Sequence, residues 1–131
     1  MTNISKSIAA YLAEKGIVSG ILNDAFYDDT SEGVIARHDP GSAREHSYID
    51  GSAEGAVSIS FYGRYKDAYT ARATLNSILE ALDNAQIEDE GDNLTISTEA
   101  VSLPQYISTD EKGFTLYTAG IRAEYERSAQ E

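Results

Sequence analysis

Two histidines and three carboxylates in one short stretch are the residues whose types could hold a metal ion. His38 and His46 stand near Asp39, Glu45 and Asp50 in the sequence. Imidazole nitrogens and carboxylate oxygens ligate divalent metals, but a true site needs a suitable ligand spacing and a supporting outer shell. This spacing matches no metal-site signature. Histidines solvated in a loop are therefore the favoured interpretation, and we expect no metal and no cofactor.

Motifs for nucleophilic or phosphate chemistry are weaker still. Residues 51–55 (GSAEG) resemble a nucleophilic serine turn, but they do not lie between a strand and a helix in the required order. Gly63 stands alone before a predicted helix and forms no glycine-rich phosphate loop. The chain has no cysteine, which excludes disulfides and thiolate chemistry. We therefore predict that the protein is not an enzyme, with no catalytic residues. A deep polar pocket would instead favour an enzyme or ligand-binding domain.

The net charge of −12 over 131 residues argues against two classes of partner. Nucleic acids and anionic membranes both attract clustered Lys and Arg, whereas this chain has 10 basic and 22 acidic residues. No run approaches the ~18 consecutive apolar residues of a membrane span, and we expect no membrane contact. Nine tyrosines, three phenylalanines and no tryptophan favour a protein-binding surface, although half-buried tyrosines on sheet faces explain the same bias.

The elements that must position any functional surface are clearest between residues 56 and 83. Val57, Ile59 and Phe61 alternate with polar residues, which is typical of a half-buried strand. The apolar period then becomes helical, and Asp67 stands where a helix N-cap is expected. The helical stripe contains Ala68, Ala71, Leu75, Ile78, Leu79 and Leu82.

The rest of the chain predicts one more helix and several strands. Residues 3–15 form an amphipathic helix that ends at Gly16. Strands are predicted at 33–37, 94–102, 106–107 and 114–126, with a hairpin turn at 110–113. Apolar residues change parity along the last strand, so a β-bulge is predicted near Ala119 and Gly120.

We predict a single α+β domain over residues 1–131, with two helices packed on a mostly antiparallel sheet. The predicted order is α-β-β-α-β-β. Residues 38–55 show no periodicity and are expected to be a long extended arm between the first two strands, ordered by partners. Residues 128–131 are expected to be a polar tail.

The ordered set of stretches resembles the tail-terminator, or tail-completion, proteins of long-tailed bacteriophages, a group that overlaps with proteins labelled minor capsid. The resemblance is carried by ISKSIAAYLAEKG, GVIARHDPG, AVSISFYGRYKDAYTARATLNSILEALD and SLPQYISTDEKGFTLYTAGIRAEYER, which together cover most of the chain. It implies a virion protein of the phage neck, assembled in the host cytoplasm. Such a protein forms a ring, usually of six subunits, at the head-proximal end of the tail tube.

The implied ring ends tube polymerisation and joins the tail to the head. Its implied partners are further copies of the chain, the tail tube protein and the head–tail connector or stopper protein. DNA passes through without specific binding. Six copies at −12 each would carry a formal charge of −72, and an acidic lumen would repel phosphate.

Residue type and position indicate two sets of candidate contact residues. Those expected at a subunit or tube interface are Arg37, Tyr48, Arg64, Tyr106, Phe114, Tyr117 and Arg122. Those expected on an acidic lumen or loop surface are Asp24, Asp28, Asp29, Glu32, Glu88, Asp89, Glu90 and Asp92. Intrachain pairing of the arginines is an equally good interpretation.

An alternative function is a small acidic DNA mimic that inhibits a nuclease or restriction enzyme. The charge and size permit it, but the acidic residues cluster in predicted loops and do not form regular rows along helices. Such a mimic would bind a basic cleft with strong salt dependence.

Overall fold

The computed structural model describes residues 2–17, 22–23, 32–39, 44–89 and 93–128. None of the helices in these segments is long and apolar enough to cross a membrane. The elements in chain order are α1 (Thr2–Glu14), β1 (Leu22–Asn23), β2 (Gly33–His38), β3 (Arg44–Ser47), β4 (Ala53–Tyr65), α2 (Ala68–Leu82), β5 (Ala85–Asp89), β6 (Leu94–Ala100), β7 (Gln105–Thr109) and β8 (Thr115–Arg127).

Two 13-residue strands, β4 and β8, pair antiparallel along their whole length and form the centre of the sheet. The spatial order is β1-β2-β4-β8-β6-β5. The short strands β2 and β3 follow one another along the free side of β4, and β6 and β7 do the same along β8. Each long strand therefore pairs with two short strands along its outer side. Apart from the parallel β1–β2 contact, every described pairing is antiparallel.

Both helices pack on one face of this sheet because each carries an apolar stripe. The core joins buried residues of α1, α2 and the sheet, and burial of such side chains is the main favourable term in folding. Its largest fully buried members include Ile4, Ile8, Leu12, Ile59, Phe61, Leu75, Ile78, Leu82, Ile96 and Ile121. The opposite face of the sheet, here called the uncovered face, carries no described helix.

The ends of the helices confirm the capping predictions. Asp67 is the N-cap of α2, and its carboxylate accepts bonds from the Tyr69 N–H at 3.2 Å and the Thr70 hydroxyl at 2.8 Å. Gly16 follows α1 with a φ of +73°. The N–H groups of Gly16 and Ile17 donate to carbonyls of the last turn, which is the usual glycine-terminated helix end.

The predicted order of elements is wrong in its detail. The predicted arm at 38–55 contains β3 and the start of β4, which form a hairpin. Glu88 and Asp89, expected on an acidic loop surface, belong instead to β5, in which Ile87 is buried and pairs with Ile96 of β6. Three short strands, β1, β3 and β5, were not predicted, because none has enough apolar residues to show a period.

The predicted bulge near Ala119 is also wrong. The β4–β8 register runs without a shift from Ala53 opposite Arg127 to Tyr65 opposite Thr115. The change of parity has another cause: Phe114 precedes the strand, and Leu116 points to the uncovered face. The irregularity lies instead in β7, where the pairing with β8 shifts between Tyr106 and Ser108.

Candidate interaction surfaces

The turn of the β3–β4 hairpin presents two apolar side chains to solvent. Its backbone is closed by bonds from the Tyr48 N–H to the Ser52 carbonyl at 2.8 Å and from the Gly51 N–H to the Tyr48 carbonyl at 3.1 Å. Asp50 accepts bonds from both the N–H and the hydroxyl of Ser52, and these bonds lower the pKa of Asp50. Ile49, at the tip, is fully exposed at 108%. These hydrogen bonds hold the turn in one conformation, so Ile49 has a defined position.

The hairpin is also tied to the body of the sheet. The Tyr48 hydroxyl donates to Glu54 at 2.7 Å, and this bond to a carboxylate raises the pKa of Tyr48. The rings of Tyr48 and His46 meet edge to face with centroids 4.7 Å apart. The Tyr125 hydroxyl donates to Glu45, so β3 is linked to β8 as well. We call Tyr48 and Ile49 together the Ile49 knob.

A groove lies at the opposite edge of the sheet from this hairpin, between the C-terminal half of α2 and the segment that follows β6. Its volume is about 370 Å³. Leu79, Val101 and Leu103 supply its apolar walls, and Glu80 and Asp83 lie on its rim. Val101 and Leu103 are 64% and 76% exposed, which is unusual for large aliphatic side chains so close together. We call this the Leu103 groove.

The edge strand β7 continues this exposed apolar surface. Every residue of β7 is exposed, including Tyr106 and Ile107. Tyr106 meets Tyr117 edge to face with centroids 5.9 Å apart, so two of the predicted contact residues come together. An edge strand of this kind leaves backbone groups available for pairing with another chain.

Phe114 and Arg64 meet at the corner where β4 ends and β8 begins. Phe114 is buried, with the Arg64 guanidinium 5.8 Å and the Lys66 ammonium 5.4 Å from its ring centroid. The adjoining turn is closed by Asp110, which accepts bonds from two backbone N–H groups, and Gly113 there has a φ of +89°. The two cations over the ring, and not Phe114 itself, form the surface at this corner.

The uncovered face carries a row of glutamates. Glu54 lies directly opposite Glu126, which pairs with Thr95, which in turn pairs with Glu88. All three glutamates are exposed, and we call them the acidic row. Like charges directly opposite one another destabilise a sheet. We therefore expect the directly opposed Glu54 and Glu126 to lower stability. A shallow depression of about 610 Å³ is lined in part by Glu54, Glu124 and Glu126.

The two remaining predicted arginines also lie on strands that contribute to the uncovered face. Arg37 is exposed on β2, and its register partner is Ser60 of β4. Arg122 on β8 forms an ion pair with Glu124 at 3.4 Å. The predicted interface residues therefore do not form one patch. They lie at the β3–β4 turn, at the corner of Arg64 and Phe114, at the β7 edge and on the uncovered face.

The predicted acidic residues have different surroundings. Glu88 is exposed on β5, whereas the Asp89 carboxylate accepts a bond of 2.8 Å from the Ser7 hydroxyl of α1. Glu32 accepts a bond from the Lys66 N–H at 2.9 Å. Asp24, Asp28, Asp29, Glu90 and Asp92 lie outside the described residues.

The histidines considered as metal ligands lie on different strands. His38 is on β2 opposite Ile59, and His46 is on β3 opposite Glu54. Asp39 accepts a bond of 2.5 Å from the Ser60 hydroxyl. Within the described segments, no three His, Cys, Asp or Glu side chains lie close enough together to hold a metal ion.

Sequence reasoning named Tyr48 of the Ile49 knob but missed Ile49 itself and the Leu103 groove. Ile49, Val101 and Leu103 are isolated apolar residues beside Asp, Ser or Pro, so they belong to no periodic stripe. An apolar residue inside a turn segment was the available signal, because a turn cannot bury it locally.

Comparison with known proteins identifies the family. Residues 11–127 match the bacteriophage tail terminator protein family. None of the curated proteins searched matches the chain. A chain in the solved structure "Virion of native gene transfer agent (GTA) particle" is similar in fold, with a TM-score of 0.58, 16% sequence identity and 92% of each chain covered. The family is a structural one and not an enzyme family, and its match spans most of the chain. This chain therefore belongs to the bacteriophage tail terminator protein family.

Proposed function

We propose that six copies of this chain form a ring on the head-proximal end of the tail tube, end tube polymerisation and join the tail to the head connector. The observation that carries the proposal is the family match over residues 11–127. The similar fold of a chain from a gene transfer agent virion supports it. The family assignment favours this role over inhibition of a nuclease by DNA mimicry.

The arrangement of exposed surfaces supports ring formation. A ring requires heterologous contacts, in which two different patches of each subunit meet. The Ile49 knob lies beside β3 on the free side of β4, and the Leu103 groove and β7 lie on the far side of β8. Two different apolar patches at opposite edges of one sheet suit a contact that repeats around a circle.

The acidic charge supports a lumen through which DNA slides. We propose that the uncovered face, with the acidic row of Glu54, Glu88 and Glu126, faces the lumen. Carboxylates there would repel phosphate and oppose adhesion of the DNA. Cross-strand repulsion within the row is a stability cost that such a role would explain.

The proposal is tested by mixing the purified chain with preassembled tail tubes and imaging them by negative-stain electron microscopy. We expect a ring at one end of each tube, with six-fold symmetry in end views, and tubes that no longer elongate when more tube protein is added. The matched control is tubes without the chain, which should keep growing. Tubes that elongate at an unchanged rate and carry no ring would contradict the proposal.

A further inference from the structure

We propose that the Ile49 knob of one copy inserts into the Leu103 groove of the next copy and is the contact that closes the ring. This inference rests on the proposed ring function. Among the described residues, the exposed large hydrophobic side chains are Tyr48, Ile49, Tyr69, Val101, Leu103, Tyr106 and Ile107. All except Tyr69 belong to the knob, the groove or the adjoining strand β7.

The knob is built to be inserted into a partner. Ile49 is fully exposed, yet the turn that carries it is closed by two backbone bonds and by the Asp50 carboxylate. The hairpin is further fixed by the Tyr48–Glu54 and Tyr125–Glu45 bonds. A side chain presented on a rigid turn loses little conformational freedom on binding, which favours affinity.

The groove offers a matching apolar surface. Leu79 forms its buried floor at 4% exposure, while Val101 and Leu103 stand exposed beside it. A volume of about 370 Å³ has room for an aliphatic side chain. Anchoring of one protein by an apolar side chain in a desolvated pocket is the usual arrangement of an interface hot spot.

The positions of the two patches make a second copy the occupant. The knob and the groove lie on opposite edges of the sheet with β4 and β8 between them, so the knob cannot reach the groove of its own copy. In a ring of copies, each groove can hold the knob of a neighbour. Both patches are also flanked by carboxylates, with Asp50 and Glu54 near the knob and Glu80 and Asp83 at the groove. Contact between two copies must therefore be apolar and opposed by charge.

This balance makes a distinctive prediction about salt. Added salt screens the repulsion between exposed carboxylates and leaves the apolar contact intact. Self-association through the knob and groove should therefore strengthen as NaCl rises. Docking of a basic partner on the same carboxylates would weaken instead.

The test uses Ile49→Asp and Leu103→Asp, with Tyr69→Asp as the matched control. Tyr69 is 67% exposed on α2 and belongs to neither patch. Sedimentation velocity should show that each of the first two variants weakens self-association on the order of tenfold to a hundredfold, while the control behaves as wild type. All three sites are exposed, and thermal melts by circular dichroism verify that each variant is folded.

Mixing the two variants gives the sharpest readout. Ile49→Asp keeps its groove and Leu103→Asp keeps its knob, so the mixture should form heterodimers that cannot extend to rings. Wild-type assembly by both single variants would overturn the inference and leave the proposed function standing. Variants that form rings but no longer bind tail tubes would also overturn it, since the knob would then contact the tube. A wild-type chain that never self-associates, with or without tubes, would overturn both proposals.

Discussion

The hydroxyl of Tyr125 donates a hydrogen bond of 2.5 Å to Oε2 of Glu45, although the two residues are 80 positions apart. Tyr125 lies on β8 and Glu45 on β3, and these strands do not pair, because β4 runs between them. Tyr125 is only 2% exposed. The bond therefore spans a strand and fixes the β3–β4 hairpin, which carries the Ile49 knob, to the centre of the sheet.

The first prediction concerns alkaline pH. Burial, together with the hydrogen bond to Glu45, raises the pKa of Tyr125 from 10.0 to about 12. The folded state thus favours the protonated phenol, so its contribution is complete below pH 10 and is lost as pH rises towards 12. We expect wild type to lose on the order of 2 kcal/mol more stability than Tyr125→Phe across this range. Urea unfolding at a series of pH values measures it, and parallel losses in the two proteins would contradict the prediction.

The second prediction concerns the junction of α2 with the sheet. Thr98 is buried on β6, and its hydroxyl donates to the carbonyl of Leu82, the last residue of α2, at 2.6 Å. Thr98→Val keeps the side-chain volume but leaves that carbonyl without this donor. We expect a loss of about 1–3 kcal/mol in the free energy of unfolding. Thr95→Val on the same strand is the matched control and should change stability little, because Thr95 points to the uncovered face.

The third prediction concerns the N-cap of α2. Asp67→Ala removes the acceptor of the Tyr69 N–H and the Thr70 hydroxyl. The expected cost is about 1 kcal/mol, seen as a lower thermal midpoint. Asp67→Ser retains a capping oxygen and should recover most of the loss. An Ala variant that melts at the wild-type temperature would show that the cap contributes nothing.

The fourth prediction concerns DNA. Glu88→Lys with Glu126→Lys reverses two charges of the acidic row and changes the net charge from −12 to −8, since each reversal adds two. We expect assembled rings of this variant to retain double-stranded DNA in a gel-shift assay, with binding lost as salt rises. Glu14→Lys with Glu111→Lys gives the same net charge at two exposed sites outside the acidic row and the Leu103 groove, and is the matched control. If both variants retain DNA equally, the acidic row does not line a lumen.

The fifth prediction concerns the stability cost of the row itself. Glu54 and Glu126 lie directly opposite one another on adjacent strands. Glu126→Gln removes one of two like charges and should stabilise the chain by a few tenths of a kcal/mol to about 1 kcal/mol, with the gain shrinking at high salt. Chemical denaturation at low and high NaCl measures it. A gain that does not depend on salt would indicate a cause other than charge repulsion.

The local elements of this fold follow from the sequence to different extents. The apolar stripe of α2, its Asp67 cap and the alternation in β4 are contained in neighbouring residues, and the structure confirms them. The same holds for Gly16 and Gly113, whose positive φ values fit the predicted helix end and hairpin turn. By contrast β3 and β5 each have too few apolar residues to show a period, and they are strands because a long neighbour offers them an edge.

The sequence by itself determined the helices, the middle of β4, the long last strand β8, the strong acidity and the ordered pattern shared with the tail terminator family. These properties depend on residues close together in the chain, or on composition, and so they can be read without a partner. Only the tertiary structure decided that Ile49 and Leu103 lie on opposite edges, and that Glu54, Glu126 and Glu88 fall in one row. Those relationships arise from strand pairing between distant segments, where a register shift of one residue would turn each side chain to the other face.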